Sequence, residues 1–92
     1  MRHGRRDSTH KEVREALRSI GATVFDTGDI GGSFPDLVVG YKGKTFLVEV
    51  KGPKTKVTEG QSAFAEVWRG AEVKVLRSGH EAITWLLGVT HE

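Results

Sequence analysis

The hydrophobic and polar positions of this chain follow two different periods. Near the N-terminus, apolar residues recur at helical spacing, and Val13, Leu17 and Ile20 share one face of a predicted first helix. Further along, residues 37–39 and 45–50 are rich in β-branched and aromatic side chains, which is typical of strands. A short turn that contains a glycine separates these two runs, so we expect them to form a hairpin.

The remaining elements are predicted from cap residues and apolar spacing. Thr58 and Gln61 fit a capping box that opens a second helix, and Ser78 and Glu81 fit one that opens a third. The second helix carries an apolar stripe that we expect in the core, with a base-stacking platform as the alternative. The stripe consists of Phe64, Val67, Trp68 and Ala71. Two further strands are expected at residues 22–26 and 72–77.

The resulting order of elements is α-β-β-β-α-β-α, which indicates an α/β domain. A meander of three strands, a crossover helix and a fourth strand together predict a mixed β-sheet flanked by helices. The length of 92 residues allows one domain with a modest core, so oligomerisation would help its stability. We expect a single domain over residues 1–92, in which residues 1–8 form a flexible basic tail.

Three charged residues interrupt the apolar pattern of the hairpin. Asp36 stands at the start of its first strand, and Glu49 and Lys51 stand near the end of its second. These two ends are adjacent in an antiparallel pair, and Glu49 and Lys51 share a face because alternate strand residues point the same way. Two neighbouring carboxylates repel each other unless a cation joins them, and such an oxygen-rich site suits Mg²⁺ or Mn²⁺. The alternative for Asp36 is a solvated acid at a strand end.

Composition and charge narrow the class of protein. The chain has no cysteine, which excludes disulfides and thiolate metal sites. It has no apolar stretch long enough to span a membrane and no signal-peptide core, so we expect an intracellular, cytoplasmic protein without a membrane partner. The net charge of +2 is a mild indication of a polyanionic partner. Four basic residues could contact DNA phosphates, with solubility as the alternative: Arg5, Arg6, Lys54 and Lys56.

The hairpin carries a known motif. Pro35-Asp36 followed by Glu49-Val50-Lys51 matches the PD-(D/E)XK nuclease motif, and the chain resembles the VRR-NUC family, especially its small stand-alone phage members. The resemblance covers residues 9–88 and is carried by the order of the elements: a helix with a glutamate, a Pro-Asp strand, a Glu-x-Lys strand and a helix that opens with a glutamine. It implies a restriction-endonuclease-like core and a Mg²⁺- or Mn²⁺-dependent endonuclease that hydrolyses phosphodiester bonds of DNA.

The resemblance also implies roles for the residues of the motif. Asp36 and Glu49 would ligate the metal together with the Val50 carbonyl group. Lys51 would orient or help deprotonate the attacking water and would offset the developing negative charge.

Two residues outside the motif have both a functional and a capping interpretation. Glu12 on the first helix is the best match to a further metal ligand of the family, and a capping-box carboxylate is the alternative. Gln61 matches the glutamine that lies close to the active centre in the family, and a capping glutamine is the alternative.

The resemblance further implies a homodimer that acts on branched DNA, such as the four-way Holliday junction, in replication or DNA repair. The third helix offers a candidate dimer surface, because its apolar residues lie on more than one side: Ile83, Trp85, Leu86 and Leu87. Two other interpretations stay open. One is a relative of the archaeal-type Holliday-junction resolvases, and the other is a non-catalytic DNA-binding or assembly module with the same fold.

Overall fold

The computed structural model describes residues 4–91, with side chains from Ser8 onward. Within these residues, three helices and four strands follow one another in the predicted order: α1 (Gly4–Ser19), β1 (Thr23–Asp26), β2 (Leu37–Tyr41), β3 (Lys44–Val50), α2 (Glu59–Val67), β4 (Lys74–Leu76) and α3 (Gly79–Val89). None of the helices in this described part is long and apolar enough to cross a lipid bilayer.

The four strands form one mixed sheet in the order β1-β2-β3-β4. Strand β2 pairs antiparallel with β1 and with β3, and β4 pairs parallel with β3. A parallel pair needs a crossover connection, and α2 lies within it. The predicted meander, crossover helix and final strand are therefore confirmed.

A tight turn joins β2 to β3 and sets the register of the hairpin. Tyr41 pairs with Lys44, so the loop consists of Lys42 and Gly43 alone. Both have positive φ angles, 52° and 77°, as a two-residue turn of the primed type requires. Because a slip of one residue would move every side chain to the other face of the sheet, this turn also decides which residues reach the site described below.

The core lies between the sheet and the two helices α1 and α3. Alternate residues of β2 and β3 meet buried residues of both helices, and the aromatic ring of Trp85 on α3 contacts that of Phe46 on β3 at a centroid distance of 5.2 Å. The buried apolar residues of this cluster are Val13, Leu17, Ala22, Val24, Leu37, Val39, Phe46, Val48, Val50, Leu76, Ala82 and Leu86. The predicted stripe of the first helix is therefore part of the core.

The prediction that the apolar stripe of the second helix is buried is wrong. Helix α2 contains no buried residue, and Val67 and Trp68 are 66% and 39% exposed. Spacing at a helical period shows that a face is apolar, but it does not show what covers that face. Here α1 and α3 pack on one face of the sheet, whereas α2 contacts Glu49, whose side chain points to the other face.

Helix α1 begins earlier than Asp7, Ser8 and Thr9, the residues at which the sequence predicts its cap. The sequence favours a start near residues 7–9, whereas the helix begins at Gly4 and so extends into the predicted basic tail. The side chains of Arg5 and Arg6 lie outside the described residues, and their predicted contact with DNA stays a prediction.

Candidate active site

The two predicted metal ligands lie opposite each other at one end of the hairpin. At this end, the outermost residue pair of β2 and β3 is Leu37 opposite Val48. Asp36 directly precedes Leu37, and Glu49 directly follows Val48, so the antiparallel register places the two carboxylates across from each other on one face. Both residues are buried, with 7% of Asp36 and 2% of Glu49 exposed. Because Leu37 and Val48 point into the core beneath α1 and α3, the carboxylates point to the opposite face.

Asp36 is held in place by the backbone around it. Its Oδ2 atom accepts a hydrogen bond of 2.8 Å from the N–H group of Val50. On its other side, the N–H group of Thr27 donates to the Asp36 carbonyl at 2.8 Å, and the Thr27 hydroxyl donates to the Pro35 carbonyl at 2.8 Å. The carboxylate thus completes the hydrogen bonding of β3 where the regular ladder stops.

Glu49 is joined to the second helix by Gln61. The Gln61 Nε2 atom donates to Glu49 Oε1 at 3.2 Å, while Gln61 Oε1 accepts from the Thr58 N–H group at 2.9 Å. The Thr58 hydroxyl in turn accepts from the Gln61 N–H group at 3.1 Å, which completes the predicted capping box. The Gln61 side chain therefore both caps α2 and contacts Glu49, because the cap turns its amide NH₂ group towards that carboxylate, and its role in catalysis stays a prediction.

The start of α2 lies against the loop that leads into Asp36. Gly60 in its first turn stands so close to Ser33 that a Cβ atom at this position would collide with the Ser33 hydroxyl. One helical turn further along α2, the ring of Phe64 meets that of Phe34 edge to face at a centroid distance of 5.4 Å. These contacts keep Gln61 within reach of the carboxylates, although α2 contributes nothing to the main core.

Lys51 completes the motif at the same end of the sheet. It lies two residues beyond Glu49, and therefore on the same face, while Val50 between them is buried in the core. The Lys51 N–H group donates to the Leu76 carbonyl at 3.0 Å, which extends the β3–β4 pairing by one residue. The side chain is half-buried, so its backbone is fixed while part of the side chain remains accessible.

Glu12 has a structural partner in the third helix. Its Oε2 atom accepts a hydrogen bond of 2.7 Å from the Gly79 N–H group, in the first turn of α3. An acidic side chain is favourable there because the first N–H groups of a helix have no partner within it. Glu12 thus caps a different helix from its own, and its role as a metal ligand stays a prediction.

The donor set fits a magnesium-type ion better than a zinc-type ion. Among the described side chains, those of residues 8–91, there is no group of three or more His, Cys, Asp or Glu arranged to hold a metal. Mg²⁺, however, is usually held through one or two carboxylates and keeps several of its waters. Asp36 and Glu49 supply two carboxylates at one strand end, so the pair fits such an ion.

The basic residues after β3 form part of an exposed loop. Lys54 and Lys56 are both exposed and follow Lys51 within a few residues, which suits contact with a phosphate backbone. The loop is held by Arg77 at the end of β4, a residue that the sequence pattern does not single out.

A second polar cluster was also missed from the sequence. His10 is buried, its Nε2 atom lies 3.6 Å from Asp26 Oδ2, and Arg14 Nη1 lies 3.1 Å from the same oxygen. Asp26 Oδ1 also accepts a hydrogen bond of 3.0 Å from the Gly28 N–H group, so the cluster fixes the start of the loop before Asp36. The available signal was weak: His10 and Arg14 are four residues apart and share a helix face.

A groove of about 710 Å³ beside α2 does not belong to this site. Its lining includes Trp68 and Val73 together with the acidic residues Glu59, Glu66 and Glu72. Three carboxylates repel a phosphate backbone, so this groove is unsuited to DNA. The candidate catalytic residues lie instead at the end of the hairpin.

Fold and site together define a class of protein. A mixed sheet flanked by helices, with Pro-Asp and Glu-x-Lys side by side at one sheet end, matches the restriction-endonuclease-like core that the resemblance to the PD-(D/E)XK nucleases implies. A solved structure described as a "VRR_NUC domain" matches with a TM-score of 0.70 and 27% sequence identity, over 94% of this chain and 96% of that chain. No protein-family model and no curated protein matches significantly. The predicted VRR-NUC resemblance and the predicted fold are confirmed by this similarity.

Proposed function

We propose that this chain is a Mg²⁺- or Mn²⁺-dependent endonuclease that hydrolyses phosphodiester bonds of DNA inside the cell. One observation carries the proposal: Asp36 and Glu49 are buried opposite each other at one end of the β2–β3 hairpin, with Lys51 next to them on the same face. Similarity to a VRR_NUC domain over nearly the whole chain supports it, because that resemblance implies nuclease chemistry.

In this proposal each residue of the site has a distinct task. Asp36, Glu49 and the Val50 carbonyl would hold the divalent cation, which when bound acidifies a water molecule and offsets negative charge on the phosphate. Lys51 orients the attacking water and places a positive charge where negative charge develops on the phosphate. Gln61 keeps the Glu49 carboxylate in one orientation through its amide group. Hydrolysis proceeds by direct attack of water, without a covalent intermediate.

The role of Gln61 gives a prediction that separates capping from catalysis. Gln61→Ala removes the side-chain half of the capping box and the donor to Glu49, and we expect cleavage to fall about 10- to 100-fold, as for loss of a residue that orients a ligand. Rates are measured under single-turnover conditions at several Mn²⁺ concentrations, so that weaker metal binding appears as a shift in the Mn²⁺ requirement.

Thr58→Ala is the matched control for this prediction. It removes the hydroxyl that accepts from Gln61 and so weakens the cap by about 1 kcal/mol, but the amide of Gln61 can still reach Glu49. If Thr58→Ala and Gln61→Ala lower the cleavage rate equally, Gln61 is only a capping residue.

We further propose that the enzyme acts as a homodimer on branched DNA, such as the four-way junction of replication and repair. A two-fold dimer presents two active sites to two strands, which matches the pseudo-symmetry of a junction. Of the predicted surface on α3, Leu86 is buried and Trp85 packs on the sheet, whereas Leu87 is 46% exposed. Phe25 and Val67, 67% and 66% exposed, offer additional apolar surface for a partner.

A single set of measurements tests the proposed function and its substrate. The protein is incubated with linear duplex, flap and four-way junction DNA in Mg²⁺, Mn²⁺ or EDTA, and its mass is measured by light scattering at micromolar concentration. We expect a dimer that cuts the junction fastest and is inactive in EDTA.

A species of 10.1 kDa that cuts junction and linear duplex equally would contradict both the dimer and the junction preference. DNA binding without cleavage of any substrate would instead favour the non-catalytic module.

A further inference from the structure

Arg77 joins the end of β4 to the loop that follows the active-site strand. Its Nη1 atom donates to the Gly52 carbonyl at 2.6 Å and to the Thr55 carbonyl at 2.7 Å. Its own backbone is fixed as well, because the Arg77 N–H group donates to Glu81 Oε1 at 2.7 Å. One guanidinium nitrogen thus bridges two points of a loop that is distant in the sequence.

The bridged segment is a tight turn that begins one residue after Lys51. The Thr55 N–H group donates to the Gly52 carbonyl at 3.2 Å, which closes a four-residue turn with Pro53 in its second position, where proline is favoured. Lys54 occupies the third position and is exposed. The four residues of the turn also line a small cavity of about 280 Å³.

We propose that Arg77 is a positioning residue that holds this turn so that Lys54 contacts a backbone phosphate of the DNA beside the active centre. The inference rests on the proposed nuclease function and extends it. Arg77 acts through the turn because its Nη1 atom is already engaged with two carbonyl groups.

Two physical effects follow from this arrangement. Arg77 draws two carbonyl oxygens, which carry partial negative charge, towards itself, so that they do not face a phosphate. It also orders the turn before DNA binds, so that less conformational entropy is lost when Lys54 meets its phosphate. Because the turn follows Lys51 directly, the same order extends to the backbone next to the site.

A double-mutant cycle tests the proposal. Binding of a fluorescein-labelled four-way junction is measured by anisotropy in Ca²⁺ for wild type, Arg77→Met, Lys54→Ala and the double variant. We expect each single substitution to raise Kd about fivefold, and the double variant to lose little more than either single one, because both remove the same phosphate contact. The slope of log Kd against log salt concentration should decrease in all three variants by the amount that corresponds to about one lost phosphate contact.

Arg77→Lys is the conservative variant, since its ammonium group keeps the positive charge and offers three donors for the two carbonyl groups. It should bind DNA within about twofold of wild type, and Lys54→Ala should weaken it as strongly as it weakens wild type. Circular dichroism tests the folding of each variant, and Arg77→Gln replaces Arg77→Met in the cycle if the latter fails to fold.

If the losses of affinity in the two single variants add up in the double variant, and its salt slope decreases by about two phosphate contacts, the proposal is overturned. Arg77 would then be an independent phosphate ligand. Failure of Arg77→Lys to restore binding would overturn it as well. A wild type that binds no DNA contradicts the proposed function itself, whereas additive losses in an active nuclease contradict only the role of Arg77.

Discussion

Asp36→Asn and Glu49→Gln are each expected to abolish Mn²⁺ binding and to leave cleavage at background while the fold is retained. The two carboxylates lie opposite each other at one end of the β2–β3 hairpin. Either change therefore removes one of the two proposed negative ligands of a divalent cation. The amide variants keep nearly the same shape. In Asp36→Asn the remaining carbonyl oxygen can still accept the hydrogen bond from the Val50 N–H group.

The alanine variants provide the comparison. Asp36→Ala also leaves the buried Val50 N–H group without its acceptor, and we expect it to lose about 1–3 kcal/mol of stability that Asp36→Asn retains. Calorimetric titration with Mn²⁺ and thermal unfolding of Asp36→Asn, Glu49→Gln, Asp36→Ala and Glu49→Ala separate the two effects. Normal Mn²⁺ binding in both amide variants would exclude this pair as the metal site.

Lys51→Ala is expected to lower the single-turnover cleavage rate by about 10²–10³, the usual effect of removing one well-placed group that stabilises transition-state charge. Its Mn²⁺ affinity and stability should stay close to those of wild type, because Lys51 acts on the reaction and not on the ion. The half-buried position of Lys51, on the face of Glu49, supports this separation of roles.

Lys54→Ala serves as the matched control for Lys51→Ala. It also removes a positive charge, three residues further along in the exposed turn. It should therefore weaken DNA binding without a comparable loss in the single-turnover cleavage rate of bound DNA. A near-normal rate in Lys51→Ala would show that its ammonium group is only a solvated charge at the strand end.

Much of the site can be derived from the sequence because it depends on the geometry of one hairpin. The alternation of side chains along a strand puts Glu49 and Lys51 on one face, and the length of the turn sets which residue of β2 lies opposite Glu49. These are local constraints, and the register observed in the structure agrees with them. The cap at Thr58 was predictable for the same reason, since a capping box involves residues only three positions apart.

Contacts between distant elements could not be derived in this way. The spacing of Phe64, Val67 and Trp68 correctly indicates an apolar face, but the course of the chain leaves α2 away from the main core. Glu12 meets the first turn of α3, and Arg77 meets the carbonyl groups of residues 52 and 55, across separations that no periodic pattern encodes.

The sequence by itself thus determined the order of the elements, the hairpin and the residues at its end, because short-range stereochemistry governs all three. Only the tertiary structure decided that Gln61 reaches Glu49, that Glu12 caps another helix and that Arg77 holds the basic turn. These contacts depend on how the helices pack against the sheet, and that packing follows from the whole core rather than from any one segment.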